Sequence, residues 1–243
     1  MRIGIDANEV IHGERGIRRY TVNLIQSLPA AAFHEEFRVL YFRFRRPLYP
    51  IVEWPEPLKN RFQNRVIPVP GSAILKLWKH CSFPGARTLV GNVDVFHNPG
   101  TVFPLPPRGS IPQVITLHWP IPPENLHHLI DASYLRWYAA FLEETFKRTD
   151  YIITVSETLR KELLEQFSLD PARVRAIHLG VGEEFHPRPK DEMLDRVKKK
   201  YSIEAPYLLY VGGLQLHKNV QGIIRAFAQV RREDRWRNLN LVL

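Results

Sequence analysis

The sequence predicts an α/β protein built on a doubly wound parallel sheet, followed by the beginning of a second α/β unit. Three observations carry that expectation. Short, near-continuous apolar segments of strand length recur along the chain, as in Gln113–Leu117 and Tyr151–Val155, and strands covered on both faces have that composition. Segments with helical spacing separate them, as crossovers between parallel strands require. Several of the strands end on polar residues, namely Asp6, His97, Asn98, His118 and Ser156. In a parallel sheet these ends fall along one edge, where α/β proteins bind ligands.

Met1–Asp6 enters a strand directly, so no signal peptide is expected. A loop with Gly13 and Gly16 leads into an amphipathic helix over Ile17–Leu28, with Tyr20, Leu24, Ile25 and Leu28 on one side. Phe37–Phe42 is the second strand. Arg43, Arg45 and Arg46 interrupt it, and Pro47, Pro50, Pro55 and Pro57 then forbid regular structure. Arg65–Val69 reads as a third strand, and a helix over Ala73–His80 puts Ile74, Leu77 and Trp78 on a common face. Val93–Asn98 is a buried strand ending in His97-Asn98-Pro99, and Gln113–Leu117 repeats the plan and ends at His118.

A long helix over Ala132–Lys147 precedes the strand Tyr151–Val155. Ser156 is a good helix cap for Glu157–Phe167, because its hydroxyl can accept an amide hydrogen left unpaired in the first turn. Arg173–His178 is one more strand, closed by Gly180 and Gly182. His127-His128 has no partner at ligand spacing and reads as surface. From Glu183 to Ala205 the composition shifts, with Pro187, Pro189 and Lys198-Lys199-Lys200, and a connection between domains is expected there.

Composition narrows the class of protein. The chain has 243 residues, 44% of them hydrophobic and 24% charged, enough for a substantial core. A single cysteine, Cys81, excludes an internal disulfide and a cysteine-rich zinc site. No apolar run approaches the ~20 residues of a membrane-spanning helix. The net charge of +9 favours anionic partners such as nucleotides, lipid headgroups or nucleic acid.

Residues 207–219 stand apart. Tyr207–Val211 is a short buried-strand signal, Gly212 and Gly213 permit a tight turn, and Lys218 precedes a helix with Val220, Ile223, Ile224, Phe227 and Val230 at helical spacing. Strand, glycine turn, cation and helix start together suggest a phosphate cradle. Leu239–Leu243 reads as another strand, so a second α/β unit is expected to begin here and be cut short. On that expectation, Val220, Ile224 and Phe227 lean on the first domain or stay exposed.

Four segments resemble the family 4 (group 1) glycosyltransferases of the GT-B architecture. They are Ile3–Ala7 with Gly16–Tyr20; Val114–His118; Ile152–Glu157 with Val174–Val181 and Phe185–Pro187; and Tyr210–Gly213 with Lys218-Asn219. The resemblance implies a Rossmann-like acceptor-side domain over 1–185, a connection over 186–205, and the start of a nucleotide-sugar-binding domain over 206–243. It implies a glycosyltransferase moving a sugar from a nucleotide-sugar to an acceptor hydroxyl with retention, in polysaccharide, lipopolysaccharide or glycolipid synthesis. It further implies a hexosyltransferase, mannosyltransferase-like, that is part of a longer protein. The family's paired glutamates, eight residues apart, lie further downstream than this chain reaches, so the 243 residues alone are expected to be inactive.

The resemblance also assigns residues. His118 is the catalytic-site histidine that positions the donor sugar, although Trp119 stands where many relatives have aspartate. Gly13, Gly16, Arg18 and Asn98 fall on the acceptor side; Gly212, Gly213 and Lys218 fall on the donor side, where the second cation usual in the family is missing. No metal and no cofactor are expected, since basic side chains and amides would stabilise the leaving diphosphate. The expected partners are a nucleotide-sugar and a sugar or lipid-linked acceptor, with no nucleic acid. The expected location is cytoplasmic, with the basic and aromatic stretch Tyr41–Leu48 offering peripheral contact at the inner face of a membrane.

Each of these residues also has a plain structural reading: a glycine-eased turn, a solvated arginine, a polar strand end or a surface lysine. Two other functions stay open, a non-catalytic acceptor- or partner-binding remnant and a basic nucleic-acid-binding α/β protein. The latter has no recognised binding module.

Overall fold

The computed structural model describes residues 1–243 apart from 14, 32–33, 45–48, 102, 120, 123–126, 129, 183, 188–191 and 205. Arg45, Arg46, Pro47, Leu48, Glu183, Pro189 and Ala205, named above, lie outside the described residues. The chain forms two compact units, one of Met1–Ile121 with Trp137–Gly180 and the other of Pro122–Arg136 with Val181–Leu243.

The first unit opens with β1 (Arg2–Asp6), α1 (Asn8–His12), α2 (Arg15–Ala31) and β2 (Glu36–Phe42). There follow α3 (Glu56–Lys59), β3 (Phe62–Ile67), α4 (Gly71–His80), α5 (Ala86–Val90), β4 (Val95–Asn98) and β5 (Gln113–Leu117). It ends with α6 (Ala132–Arg148), which belongs to this unit from Trp137 on, then β6 (Tyr151–Thr154), α7 (Glu157–Gln166) and β7 (Val174–Ala176). The seven strands form one sheet in the order β3-β2-β1-β4-β5-β6-β7. Every pairing is parallel, with Ile5 opposite both Val39 and His97, Asn98 opposite Ile115, and Leu117 opposite Thr154. The order reverses between β1 and β4, which makes the sheet doubly wound, as the strand and helix alternation requires.

The core around β1 and β2 gathers Ile5, Val10, Ile11, Ile25, Phe37, Val39 and Tyr41 with Val52, Trp54 and Phe62. Phe62 stacks between Phe37 and Trp54, with ring centroids 4.4 and 4.1 Å apart. The Trp54 indole donates to Asn64 Oδ1, and the Val52 amide donates to the buried Tyr41 hydroxyl at 3.2 Å. The proline-rich stretch is therefore a packed strap. It is also not free of regular structure: Pro57 sits in the first turn of α3, where a missing amide hydrogen costs nothing.

Other expectations needed correction. In α4, Ile74 and Trp78 are buried, four apart, while Leu77 is 41% exposed. α1 and α5, five residues each, were not foreseen. β3 begins three residues earlier than expected and β7 is shorter. Tyr41 is fully buried, so it is unavailable to a membrane surface; Phe44 is exposed, and residues 45–48 of that stretch are not among those described. The Ser156 cap is as expected, with its Oγ accepting the Leu159 amide at 3.1 Å.

The second unit contains α8 (Glu192–Lys200), β8 (Tyr207–Leu209), α9 (Val220–Val230) and β9 (Asn240–Val242). The three lysines 198–200 close α8, with Lys199 and Lys200 exposed. β8 and β9 pair in parallel, Tyr207 opposite Asn240 and Leu209 opposite Val242. The buried strand expected at Tyr207–Val211 is not buried: Leu208 is 48% and Leu209 61% exposed, because β9 is the sole strand partner of β8 among the described residues. Ile224 is exposed, while Val220 and Phe227 are half-buried. Among the described residues no helix is long and apolar enough to cross a membrane.

Candidate active site

Because β1, β4, β5 and β6 run parallel as neighbours, Asp6, His97, Asn98, His118 and Ser156 line the carboxyl edge of the first unit's sheet. The reversal between β1 and β4 marks the crevice where such folds bind ligands. Asp6 and Asn98 stand at its two sides.

His118 follows β5. Its Nε2 lies 2.9 Å from the Pro99 carbonyl oxygen. A carbonyl can only accept, so Nε2 carries the hydrogen, and in the neutral ring Nδ1 is an acceptor. Burial pushes the His118 pKa below its ordinary value, against the pull of the Pro99 hydrogen bond. The Tyr20 ring, on α2, packs against the imidazole in a T-shaped arrangement, with ring centroids 4.8 Å apart. The Tyr20 hydroxyl sits 3.5 Å from Thr116 Oγ1, and His97 Nε2 approaches the same oxygen at 2.9 Å. Burial, and secondarily the nearby His118, lower the His97 pKa to about 4. Both rings are thus neutral at pH 7, suited to hydrogen bonding rather than to carrying charge.

Asp6, 3% exposed, accepts from the Asn8 amide and from Asn8 Nδ2, each at 2.8 Å. Asn8 Oδ1 in turn accepts the Phe42 amide at 2.7 Å, tying the end of β1 to β2. Asp6 Oδ2 is buried without a partner among the described residues. Burial raises the Asp6 pKa to about 7, opposed by the Asn8 hydrogen bonds and helped by the charge of Glu9. Glu9, also 3% exposed, accepts the Thr101 amide on Oε1 at 2.6 Å.

The expected acceptor residues are arranged differently from a bare glycine loop. Gly13 is buried, and a Cβ there would lie 2.4 Å from the Glu9 carbonyl oxygen and 2.9 Å from Glu9 Cα, backbone that cannot give way, besides 2.2 Å from Glu9 Oε2, so packing alone demands glycine. Gly16 is exposed in the first turn of α2 rather than in a loop, with open space around it. Arg18 donates from Nε to the Val10 carbonyl at 3.0 Å and stacks 3.8 Å over the Tyr49 ring, which fixes its guanidinium plane. Asn98, 2% exposed, donates to the Phe103 carbonyl and accepts the Gly100 amide, so its side chain holds the loop after β4.

The donor-side residues belong to the second unit. The Tyr210 hydroxyl donates to the Gly213 carbonyl at 2.8 Å, and a Cβ on Gly212 would lie 2.5 Å from that hydroxyl. Lys218 ends a 3-10 turn, Leu216–Lys218, with its side chain exposed. Asn219, at φ 51°, caps α9 by accepting the Gly222 amide at 3.2 Å, so one amide of the anticipated cradle is already engaged.

Glu9, Asn8, Tyr20 and Thr116 were not singled out from the sequence as site residues. Asn8-Glu9, two polar residues just past a strand end, was the available signal for the first pair. Tyr20 was read as a packing residue and Thr116 as a strand interior.

Comparison with known proteins follows the same lines. Residues 15–185 match the model of the family described as Glycosyltransferase Family 4. An O-antigen chain mannosyltransferase B from Escherichia coli is 24% identical over 226 residues, covering 91% of this chain and 58% of that protein. A D-inositol 3-phosphate glycosyltransferase from Kineococcus radiotolerans is 29% identical over 100 residues, 41% of this chain and 23% of its own length. Among solved structures, WaaG, a glycosyltransferase involved in lipopolysaccharide biosynthesis, superimposes with a TM-score of 0.54 at 15% identity, covering 99% of this chain and 62% of its own. The chain thus spans less than two thirds of these proteins, and its fold is that of GT-B glycosyltransferases. The match over residues 15–185, with the seven-stranded sheet beneath it, shows that the chain belongs to glycosyltransferase family 4.

Proposed function

We propose that the protein transfers a hexose, of mannosyl type, from a nucleotide-sugar to an acceptor hydroxyl on a growing polysaccharide or glycolipid, with retention and without a metal. Family membership and the names of the relatives support sugar transfer of this kind. The observation that carries the assignment to this edge of the sheet is His118. Its Nε2–H is committed to the Pro99 carbonyl, which leaves Nδ1 as an acceptor for a sugar hydroxyl. Neutrality suits that part, since a protonated ring would have no acceptor.

In this reading residues 1–185 hold the acceptor, with Gly16 and the plane of Arg18 beside it, and Gly13 and Asn98 shaping the loops around it. Residues 186–205 connect to the donor side, which begins at 206. Lys218 and the amides near Gly212 and Gly213 then meet the negative charge that grows on the leaving diphosphate. The test is transfer from a nucleotide-activated mannose to a mannosylated acceptor. It is measured with this chain and with one extended to the length of the relatives. Turnover is expected from the longer protein, with anomeric configuration kept. His118→Ala in it should lower kcat/KM roughly three- to tenfold, the worth of one hydrogen bond to a neutral group. No transfer from either protein rejects the enzyme reading in favour of a binding role; equal turnover from both rejects the division at 186–205.

A further inference from the structure

We propose that Glu9 is a positioning residue for His118, acting through residues 98–101 of the loop after β4 without touching either sugar. The inference rests on the reading of His118 as the residue that receives the donor sugar.

Glu9 sits just beyond β1, in α1, and its carboxylate fills the space at the point where the sheet order reverses. A Cβ on Gly100 would lie 2.1 Å from Glu9 Cγ and 2.3 Å from Oε1; a Cβ on Gly13 would lie 2.2 Å from Oε2. Two glycines far apart in sequence thus leave the room that the two oxygens of one carboxylate occupy. Oε1 also accepts the Thr101 amide at 2.6 Å, and a carboxylate accepts from a backbone amide more strongly than a neutral oxygen does. The rest of the loop is tied to Asn98, which accepts from Gly100 and donates to the Phe103 carbonyl at 3.0 and 2.7 Å. Pro99 lies between these tethers, and its carbonyl holds His118 Nε2–H.

The order of dependence is therefore Glu9 to Thr101 and Gly100, the loop to the Pro99 carbonyl, and that carbonyl to the orientation of the imidazole. His97 provides an internal reference, because its ring is bonded to Thr116 on β5 and not to the loop.

The experiment records imidazole 15N–1H spectra of the whole chain. In the wild type, a slowly exchanging His118 Nε2–H signal is expected. Glu9→Ala removes the acceptor, and Gly100→Ala keeps the carboxylate but drives the loop off it. Each should abolish the His118 signal by fast exchange while leaving the His97 signals in place. Glu9→Gln, which still offers an oxygen to Thr101, should retain it, and loss there overturns that hydrogen bond as the link. Persistence of the His118 signal in either folded alanine variant overturns the proposal. So does loss of His97 and His118 together in both, since Glu9 would then support the fold at large. If Glu9→Ala does not fold, Gly100→Ala decides. The measurement needs no turnover, so it can fail while His118→Ala still impairs transfer, and it can succeed if His118 proves irrelevant to the sugar.

Discussion

Replacing Asp6 by asparagine should remove the part of the pH dependence of stability that this buried carboxyl contributes. The carboxyl is buried, has one oxygen without a partner among the described residues, and has its pKa raised from 3.8 to about 7. The folded state therefore holds this proton more tightly than the unfolded chain does. Between those two values the native protein binds the extra proton, so stability falls as pH rises through the interval and levels off above about 7. At about 1.36 kcal/mol per pH unit, the gap of 7 − 3.8 amounts to about 4 kcal/mol in full. The Asp6→Asn side chain keeps an oxygen for the Asn8 amide and has no proton to lose. Urea denaturation of both proteins, followed by circular dichroism from pH 4 to 8, gives the difference directly, and titrating groups not coupled to Asp6 cancel in it; Glu9, whose charge acts on Asp6, is the coupled one. The variant should gain on the wild type steadily with pH, by a few kcal/mol at pH 8. A difference that does not change with pH, or one that shrinks as pH rises, would refute the argument that burial governs this carboxyl.

Other outcomes are open to measurement. His97, lowered to about 4, stays neutral in the fold but charges in the unfolded chain, so its contribution is present above pH 6.5 and is lost as pH falls toward 4. His97→Gln should remove that acid sensitivity in the same titration. Ser156→Ala deletes the cap on the Leu159 amide and should cost about 1 kcal/mol of unfolding free energy. Tyr41→Phe strands the buried Val52 amide and should cost about 1–3 kcal/mol, read from the shift in urea midpoint at unchanged slope. Lys218→Ala in the extended protein should raise KM for the nucleotide-sugar; an unchanged KM and kcat would leave that lysine a surface group.

The carboxyl edge was legible in advance because a parallel strand that ends on a polar residue leaves little choice about where that residue sits. Asp6, His97, His118 and Ser156 all obey this. Glu9 was not legible, since its partners Gly100 and Thr101 are brought to it only by the pairing of β1 with β4. Gly13 was read as open to a ligand for the same reason: the carboxylate that fills the space beside it is a matter of packing that spacing does not reveal. Short helices escaped because five residues, as in Asn8–His12, show barely more than one turn of periodicity. Tyr207–Leu209 has the composition of a buried strand, but composition does not count neighbours.

The position of β1 in the middle of the sheet also bears on how the chain is made. One neighbour of Ile3 is Phe37, but the other is Val95. At roughly 5–20 residues per second, the ribosome delivers the first pairing within seconds and the second only after several seconds more. In that interval β1, β2 and β3 can assemble as a nascent half-sheet whose β1 side is an open edge, bare of its hydrogen-bonding partner. Pairing with β4 would close that edge of β1 and pass the open edge to β4, until β5 in turn pairs with it.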